Sequence, residues 1–301
     1  MAASPQKGAE SVVALLHQRF GSYGGGEGFE SYGGCRPLDT IATGRLSTVY
    51  RGAHTGTGEI VAIKVLSEYG CRVASKLSRL KKDWEGERAL KLQHPNVVRT
   101  IACGDVHGRH YIVMELLAGG NLSSLLQAKL SAIEGRRIEL MRQAARGLEY
   151  VHSRGVIHRD ISPRNIMFSG DGAAKLIDFG VAINRTDHVL KRGMRTGRPG
   201  FMAPELIRDY CYNQATDIYA YGVSLYCVAT GQRPFRTSDD PFEALAVALN
   251  TPVPPPSSVR PTISKRLEAI ILRAMDPHPQ KRYLSVTRLL DDLAGVTDAD
   301  L

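Results

Sequence analysis

The chain has no apolar run near the roughly 20 residues that a membrane span requires, and it has no internal repeat. It has no C-x-x-C pair. Its five cysteines, Cys35, Cys71, Cys103, Cys211 and Cys227, are odd in number and far apart. That spacing excludes a disulfide framework or a cysteine zinc site and fits a reducing compartment. The apolar stretch Val12–Leu16 is too short for a secretory signal. Ala2 stands where myristoylation needs Gly, and the end lacks a prenylation Cys. A cytoplasmic or nuclear location is expected. Hydrophobic residues at 43% and charged residues at 23% exclude disorder, collagen and coiled coil for the chain as a whole. The net charge of +9 admits nucleic acid, an anionic surface or a polyphosphate ligand as partner. The basic run Arg72, Lys76, Arg79, Lys81, Lys82 reads first as a solvated helix face.

Residues 21–34 are Gly-rich and read as a flexible linker, preceded by a short amphipathic helix over Ser11–Phe20. From Pro37 the texture changes. Val49–Gly52 and Ile60–Leu66 are β-rich and flank the turn-forming His54–Gly58, so they predict a hairpin. Lys76–Gln93 is helix-like and stops before Pro95, and Tyr111–Leu117 is another strand, ended by Gly119-Gly120. Beyond it the periodicity predicts helices at Leu122–Lys129, Glu134–Ser153, Ala215–Gly231, Phe242–Leu249, Lys265–Ala274 and Val286–Leu293. Strands in front and helices behind predict an α+β class in two parts.

Short motifs then follow one another in a fixed order. Val61-Ala62-Ile63-Lys64 lies on a predicted strand, and the acidic pair Glu85 and Glu87 lies on the next helix. His158-Arg159-Asp160 follows, with Asn165 five residues past the Asp. Asp178-Phe179-Gly180 and Ala203-Pro204-Glu205 complete the series. Each motif alone arises often by chance; the ordered set does not. It resembles the signature of the protein kinase family over about Pro37–Leu293.

The resemblance implies a bilobal fold, with a small β-rich N-lobe over about 37–116 and a larger helical C-lobe over about 117–293. Residues 1–36 would be an N-terminal extension and 294–301 a tail. It implies an ATP- and Mg²⁺-dependent enzyme that phosphorylates protein hydroxyls. Phosphoryl transfer needs positioned reactants and compensated negative charge more than covalent help. Lys64 would pair the α/β-phosphates, held by Glu85, which the spacing back from His94-Pro95-Asn96 selects over Glu87. Asp178 and Asn165 would be the Mg²⁺ ligands, and Asp160 would accept the proton of the acceptor hydroxyl. In the resemblance Met114, Glu115 and Leu117 belong to the adenine-binding connector, and Val49, Ala62 and Met167 would sandwich the ring. Asp217 would brace the catalytic loop and Arg282 would pair with Glu205.

The sequence departs from the family in four places. The glycine-rich loop reads Ala42, Gly44, Ser47 before Val49, so one glycine of three remains. The catalytic loop carries Ser162 where serine/threonine kinases have Lys; the nearby cation is Arg164, with Arg198 next in line. Arg198 itself replaces a Thr in Gly197-Arg198-Pro199-Gly200-Phe201-Met202. That segment otherwise favours serine/threonine over tyrosine or dual specificity. By the resemblance, Arg164 and Cys227 stand where the family's peptide-binding carboxylates are usual, so acidic substrates are expected over basic ones. Thr186 and Thr196 are candidate regulatory sites in a basic segment. The rival reading is a pseudokinase scaffold that binds nucleotide without efficient catalysis. No motif supports nucleic-acid binding.

Overall fold

Alternation along Ile60–Leu66 decides the first sheet: Val61, Ile63 and Val65 are buried on one side, and Ala62 and Lys64 project from the other. In the computed structural model, which describes residues 31–81, 84–128, 133–184, 197–207, 212–235 and 240–301, this strand lies at the middle of a five-stranded antiparallel sheet. The strands are β1 (Cys35–Thr43), β2 (Ser47–His54), β3 (Ile60–Leu66), β4 (Thr100–Val106) and β5 (Arg109–Glu115), in the order β1-β2-β3-β5-β4. Strands β1 and β4 carry no apolar alternation and were not legible from periodicity. They are the two edges of the sheet, where one side of the ladder is open and little side-chain burial is demanded.

The chain divides into two compact units. The first runs to Val73 and includes Thr100–Leu116; the second holds Ala74–Arg99 and Leu117–Leu301. The core of the first is Val61, Ile63, Val65, Tyr111 and Val113 with Cys35 and Tyr32. Tyr32 is buried and meets Tyr111 edge-on at 5.4 Å between ring centres, so packing starts inside the Gly-rich stretch and before Pro37. The helix over Ser11–Phe20 lies outside the described residues, as do Thr186 and Thr196.

The single helix expected over Lys76–Gln93 is two: α1 (Glu68–Lys81) and α2 (Glu85–Leu90), with Trp84 extended just before the second. Helix α1 begins earlier than its apolar pattern because Ser67 caps it, its hydroxyl accepting from the Gly70 amide at 3.0 Å. Residues 74–99 belong with the second unit, not with the first as the 37–116 boundary would have it. Arg88 Nη1 donates to the Ala182 carbonyl at 2.7 Å, Asn96 Nδ2 to Ala174 at 2.9 Å and the Val98 amide to Leu176 at 2.9 Å.

The second unit is built on α3 (Leu122–Gln127), α4 (Arg137–Ser153) and α5 (Gln214–Thr230), then α6 (Pro241–Asn250), α7 (Pro256–Val259), α8 (Lys265–Ala274) and α9 (Val286–Leu293). Helix α5 is buried on nearly every face, capped by Asn213 at its start and by Gly231 at φ 77° at its end. Two short two-stranded antiparallel sheets complete the unit. The strands β6 (Val156–Ile157) and β9 (Ile183–Asn184) pair with each other, and β7 (Ile166–Phe168) pairs with β8 (Ala174–Leu176). No helix among the described residues is long and apolar enough to cross a membrane.

Candidate active site

In the first unit, register gathers the expected nucleotide residues on one sheet face. Ala42 pairs with Val49, Val49 with Lys64, and Ala62 with Met114. Lys64 and Ala62 are two apart on β3 and so share that face. The result is an apolar strip of small and medium side chains with one cation, which fits a flat ring carrying phosphates. Lys64, Met114 and Glu115 are each half-buried.

The β1–β2 turn is built differently. Ala42, Thr43, Gly44, Arg45 and Leu46 are all exposed. The turn closes through the Gly44 amide on the Ser47 carbonyl at 2.9 Å. It is also tied to the start of α1. The Ser67 hydroxyl donates to Arg45 O at 2.8 Å and the Ser67 amide to Leu46 O at 2.9 Å.

In the second unit, the loop after β6 hangs from one buried carboxylate. Asp217, in the first turn of α5 and 1% exposed, accepts from the amides of His158 and Arg159 at 2.8 Å each. His152 Nε2 lies 2.8 Å from the same carboxylate. Burial alone would raise the Asp217 carboxyl. The His152 hydrogen bond and charge, with His158, hold it below the ordinary value instead. His152 carried no signal in the sequence; it is readable only from the helix face it shares with the core. Arg159 adopts φ 70° and stacks over the Tyr212 ring at 4.1 Å.

His158 joins this loop to the one after β8. Its Nδ1 accepts from the Asp160 amide at 3.3 Å, so Nε2 carries the proton and donates to the Ile177 carbonyl at 3.1 Å. Its ring packs on Phe179 at 5.0 Å between centres. Asp178 adopts φ 66° and takes the Gly180 amide on Oδ1 at 3.3 Å. A Cβ on Gly180 would lie 3.1 Å from Glu85 Oε2 and 3.2 Å from Asp178 Oδ1, so the Glu85 carboxylate stands beside this turn. Glu87, the reserve, is exposed.

Asn165 is 3% exposed and donates from Nδ2 to Asp160 O and to Asp160 Oδ2, both at 2.8 Å. Its amide oxygen is thereby turned away from Asp160. The described residues contain no cluster of three or more His, Cys, Asp or Glu able to hold a metal. Magnesium needs none, since it binds through one or two protein oxygens plus phosphates and water, and Asp178 and Asn165 fit that need.

Burial pushes the Asp160 carboxyl above the usual carboxylate range, against the opposing charge of Arg198. Arg198 Nε stands 3.6 Å from Asp160 Oδ2. Arg164 is exposed on the turn Pro163–Asn165 and makes no ion pair with any described residue. Ser162 is fully buried. Leu117 is buried, and Met167 lies on β7, bridged to Asn121. Cys227 is buried within α5, and burial pushes its thiol up to about 12, so this position does not face a substrate. The expected Glu205–Arg282 pair is present, with Nη1 and Nη2 of Arg282 on the two carboxylate oxygens at 2.8 and 2.7 Å.

The family model described as protein kinase domain matches residues 36–292. Among curated proteins, the serine/threonine-protein kinase PknE of Mycobacterium tuberculosis is 32% identical over 255 residues, which cover 84% of this chain and 44% of that protein. PknH of Mycobacterium bovis is 33% identical over 246 residues, covering 81% and 41%. Pkn1 of Myxococcus xanthus is 34% identical over 261 residues, covering 84% and 37%. The chain thus spans less than half the length of these relatives.

Proposed function

As the chain belongs to the protein kinase family, we propose that it is an ATP- and Mg²⁺-dependent protein kinase acting on serine or threonine. The observation that carries this reading is the Asp160–Asn165 pair, held at 2.8 Å in a loop hung from buried Asp217. A loop with no catalytic duty has no need of a carboxylate whose ionisation its own burial opposes.

In this reading the acceptor hydroxyl gives its proton to Asp160 as its oxygen bonds to the γ-phosphorus. The bond to ADP breaks and ADP keeps the electron pair. Lys64 neutralises phosphate charge, and Glu85 is its acidic counterpart. Asp178 and Asn165 offer oxygens to Mg²⁺, which supplies charge neutralisation on the phosphates. Ala42, Gly44, Ser47 and Val49 contribute the turn and strand beside the phosphates. Ala62, Met114, Glu115, Leu117 and Met167 contribute apolar walls and backbone polar groups for adenine. Names of relatives support serine/threonine specificity.

A second reading, a nucleotide-binding scaffold, draws on the exposed β1–β2 turn with its single remaining glycine. Labelled ATP with a degenerate peptide library separates the two. Phosphate on Ser or Thr, lost in Asp160→Asn, is the expected result. Nucleotide binding without transfer to any peptide would favour the scaffold.

A further inference from the structure

The first unit carries a basic surface cavity on the sheet face turned away from the expected nucleotide residues. Along β2, Thr48 and Tyr50 alternate with Val49, and on β3 Val65 follows Lys64; Thr48 pairs with Val65 and Val49 with Lys64. The two pairs therefore stand on opposite faces of the sheet. Thr48, Tyr50 and Val65 line a cavity of about 390 Å³, completed by the start of α1 and the start of β5. Three arginines reach it from separate segments: Arg45 from the β1–β2 turn, Arg72 from α1 and Arg109 from β5. The one acid in this wall is Glu68.

Cations gathered in this way repel one another, and a neighbouring carboxylate ordinarily takes them up. Here none does. Among the described residues, neither the three arginines nor Glu68 forms an ion pair. All four are exposed, so the cavity is open to a ligand from solvent. Arg72 belongs to the basic run expected to be a solvated helix face, yet it lines this cavity.

The cations are also held in place. The Arg45 guanidinium stacks over the Tyr69 ring at 4.3 Å, which restricts a long side chain before any ligand arrives. The backbone below it is fastened to α1 by the Ser67 hydroxyl on Arg45 O at 2.8 Å and the Ser67 amide on Leu46 O at 2.9 Å. A Cβ on Gly70 would collide with that same Leu46 carbonyl, so glycine is what lets the turn and the helix come together.

Three cations less one anion leave a double positive charge, which matches a phosphomonoester at about −1.5 to −2. Guanidinium forks suit phosphoryl oxygens, which accept two parallel hydrogen bonds from one arginine. Tyr50 and Val65 offer apolar wall to the carbon beyond the ester oxygen. We propose that this cavity is a second anion site, which binds a phosphomonoester group on the face of the sheet opposite Lys64. The group comes either on a phosphorylated protein side chain or on a small organic phosphate, and the experiment separates these sources. The site stands on the geometry of the first unit and does not rest on the kinase reading.

The test is calorimetry on the full chain without nucleotide. The probes are inorganic phosphate, glycerol phosphate, a short phosphoserine peptide with neutral flanks, and its unphosphorylated twin. The phosphopeptide should bind at least about tenfold more tightly than its twin, and less tightly as salt rises. Arg72→Gln and Arg109→Gln should each weaken phosphate-bearing probes by about tenfold, the scale of a lost charge-assisted hydrogen bond. Arg72→Lys should lose less than Arg72→Gln, because the charge stays while the fork goes. Melting should stay close to wild type, since both arginines are exposed. Lys64→Met, on the other face, should leave the affinities unchanged. Tighter binding of the phosphopeptide than of glycerol phosphate and inorganic phosphate supports the site and names a protein segment as the source. Similar affinity for all three supports the site and names a small phosphate. Equal affinity of the two peptides, together with no binding of either phosphate, overturns the proposal. Binding lost in Lys64→Met but kept in Arg72→Gln and Arg109→Gln overturns it as well, by placing the anion at the nucleotide site.

Discussion

At the β1–β2 turn, residues 42–46 are exposed, their side chains make few bonds, and two of three expected glycines are gone. In the loop from His158 to Asn165 every residue but Asp160 and Arg164 is buried, and three backbone or side-chain groups converge on Asp217 alone. In the proposed reading the first stretch acts through its backbone, and backbone approach tolerates Ala or Ser where the turn is open: a Cβ on Gly44 would meet nothing closer than 3.6 Å. In the same reading the second acts through particular side-chain atoms at fixed distances, and there the signature residues are intact. Where its usual cation is absent, another segment brings one to within 3.6 Å. Erosion therefore falls where sterics are permissive.

The contrast breaks most severely if the polar scaffold of the second unit proves dispensable. Arg282→Met leaves Glu205 without the two-pronged partner that holds it, and it empties a guanidinium that also donates to Asp276 and Ala215 carbonyls. Removing one member of such a buried pair costs about 3–5 kcal/mol. Urea denaturation should show a midpoint lowered accordingly; a loss under about 1 kcal/mol would mean the pair is solvated.

Within the first unit, the contrast predicts that a side-chain role is intolerant even though the turn beside it is not. Lys64→Met should reduce phosphotransfer by about 10²–10³-fold, the scale for a lost preorganised charge partner. Circular dichroism and melting should stay close to wild type, since β3 keeps its alternation. More than half the wild-type rate in folded mutant would detach Lys64 from the chemistry.

A sharper version concerns pH. Asp217→Asn leaves at least one of its three donors unpaired, costing about 1–3 kcal/mol. The carboxyl of Asp217 is held below its ordinary value in the folded chain. Its contribution is full above the unfolded value of about 3.9 and is lost as pH falls through the depressed folded value. Urea midpoints taken from about pH 6 down to pH 2 should fall more gently in Asp217→Asn than in wild type. Equal slopes would place the acid sensitivity elsewhere.

The smallest effect is expected at the turn. Restoring glycine with Ala42→Gly and Ser47→Gly should lower stability by roughly 0.5–1 kcal/mol each through backbone entropy. Nucleotide affinity, read by calorimetry, should change by less than about tenfold, or 1.4 kcal/mol. A larger gain would show that erosion does limit binding.

Much of the fold was legible. Alternation marked β3 and β5, and the 3.6 period marked α4, α5, α8 and α9. The edge strands β1 and β4 were not, because an edge needs little apolar patterning. Nor was the break between α1 and α2, where the charged run Arg72–Lys82 continues a helical composition through it. Of the site, Asp160, Asn165, Asp178 and Asp217 were recognisable because their order and spacing are a local property of the chain. Glu85 over Glu87 was a matter of spacing until the Gly180 turn placed a carboxylate beside it. Arg164 and Arg198 could not be ranked by spacing, which favoured the nearer one in sequence.

What the sequence by itself determined is the set of groups and the elements that carry them: a β-rich front, a helical back, and a phosphotransfer signature in chain order. Those follow from side-chain period and local spacing, which act over a few residues. What only the tertiary structure decided is which groups meet across long separations. Residues 74–99 join the second unit through hydrogen bonds to residues 78 and 94 positions away. Arg198 meets Asp160 because Gly197 lets two loops touch, and Ser162 is closed off because its neighbours pack around it. Burial and close approach are sums over the whole packed chain, so no local pattern encodes which of two arginines stands beside the carboxylate.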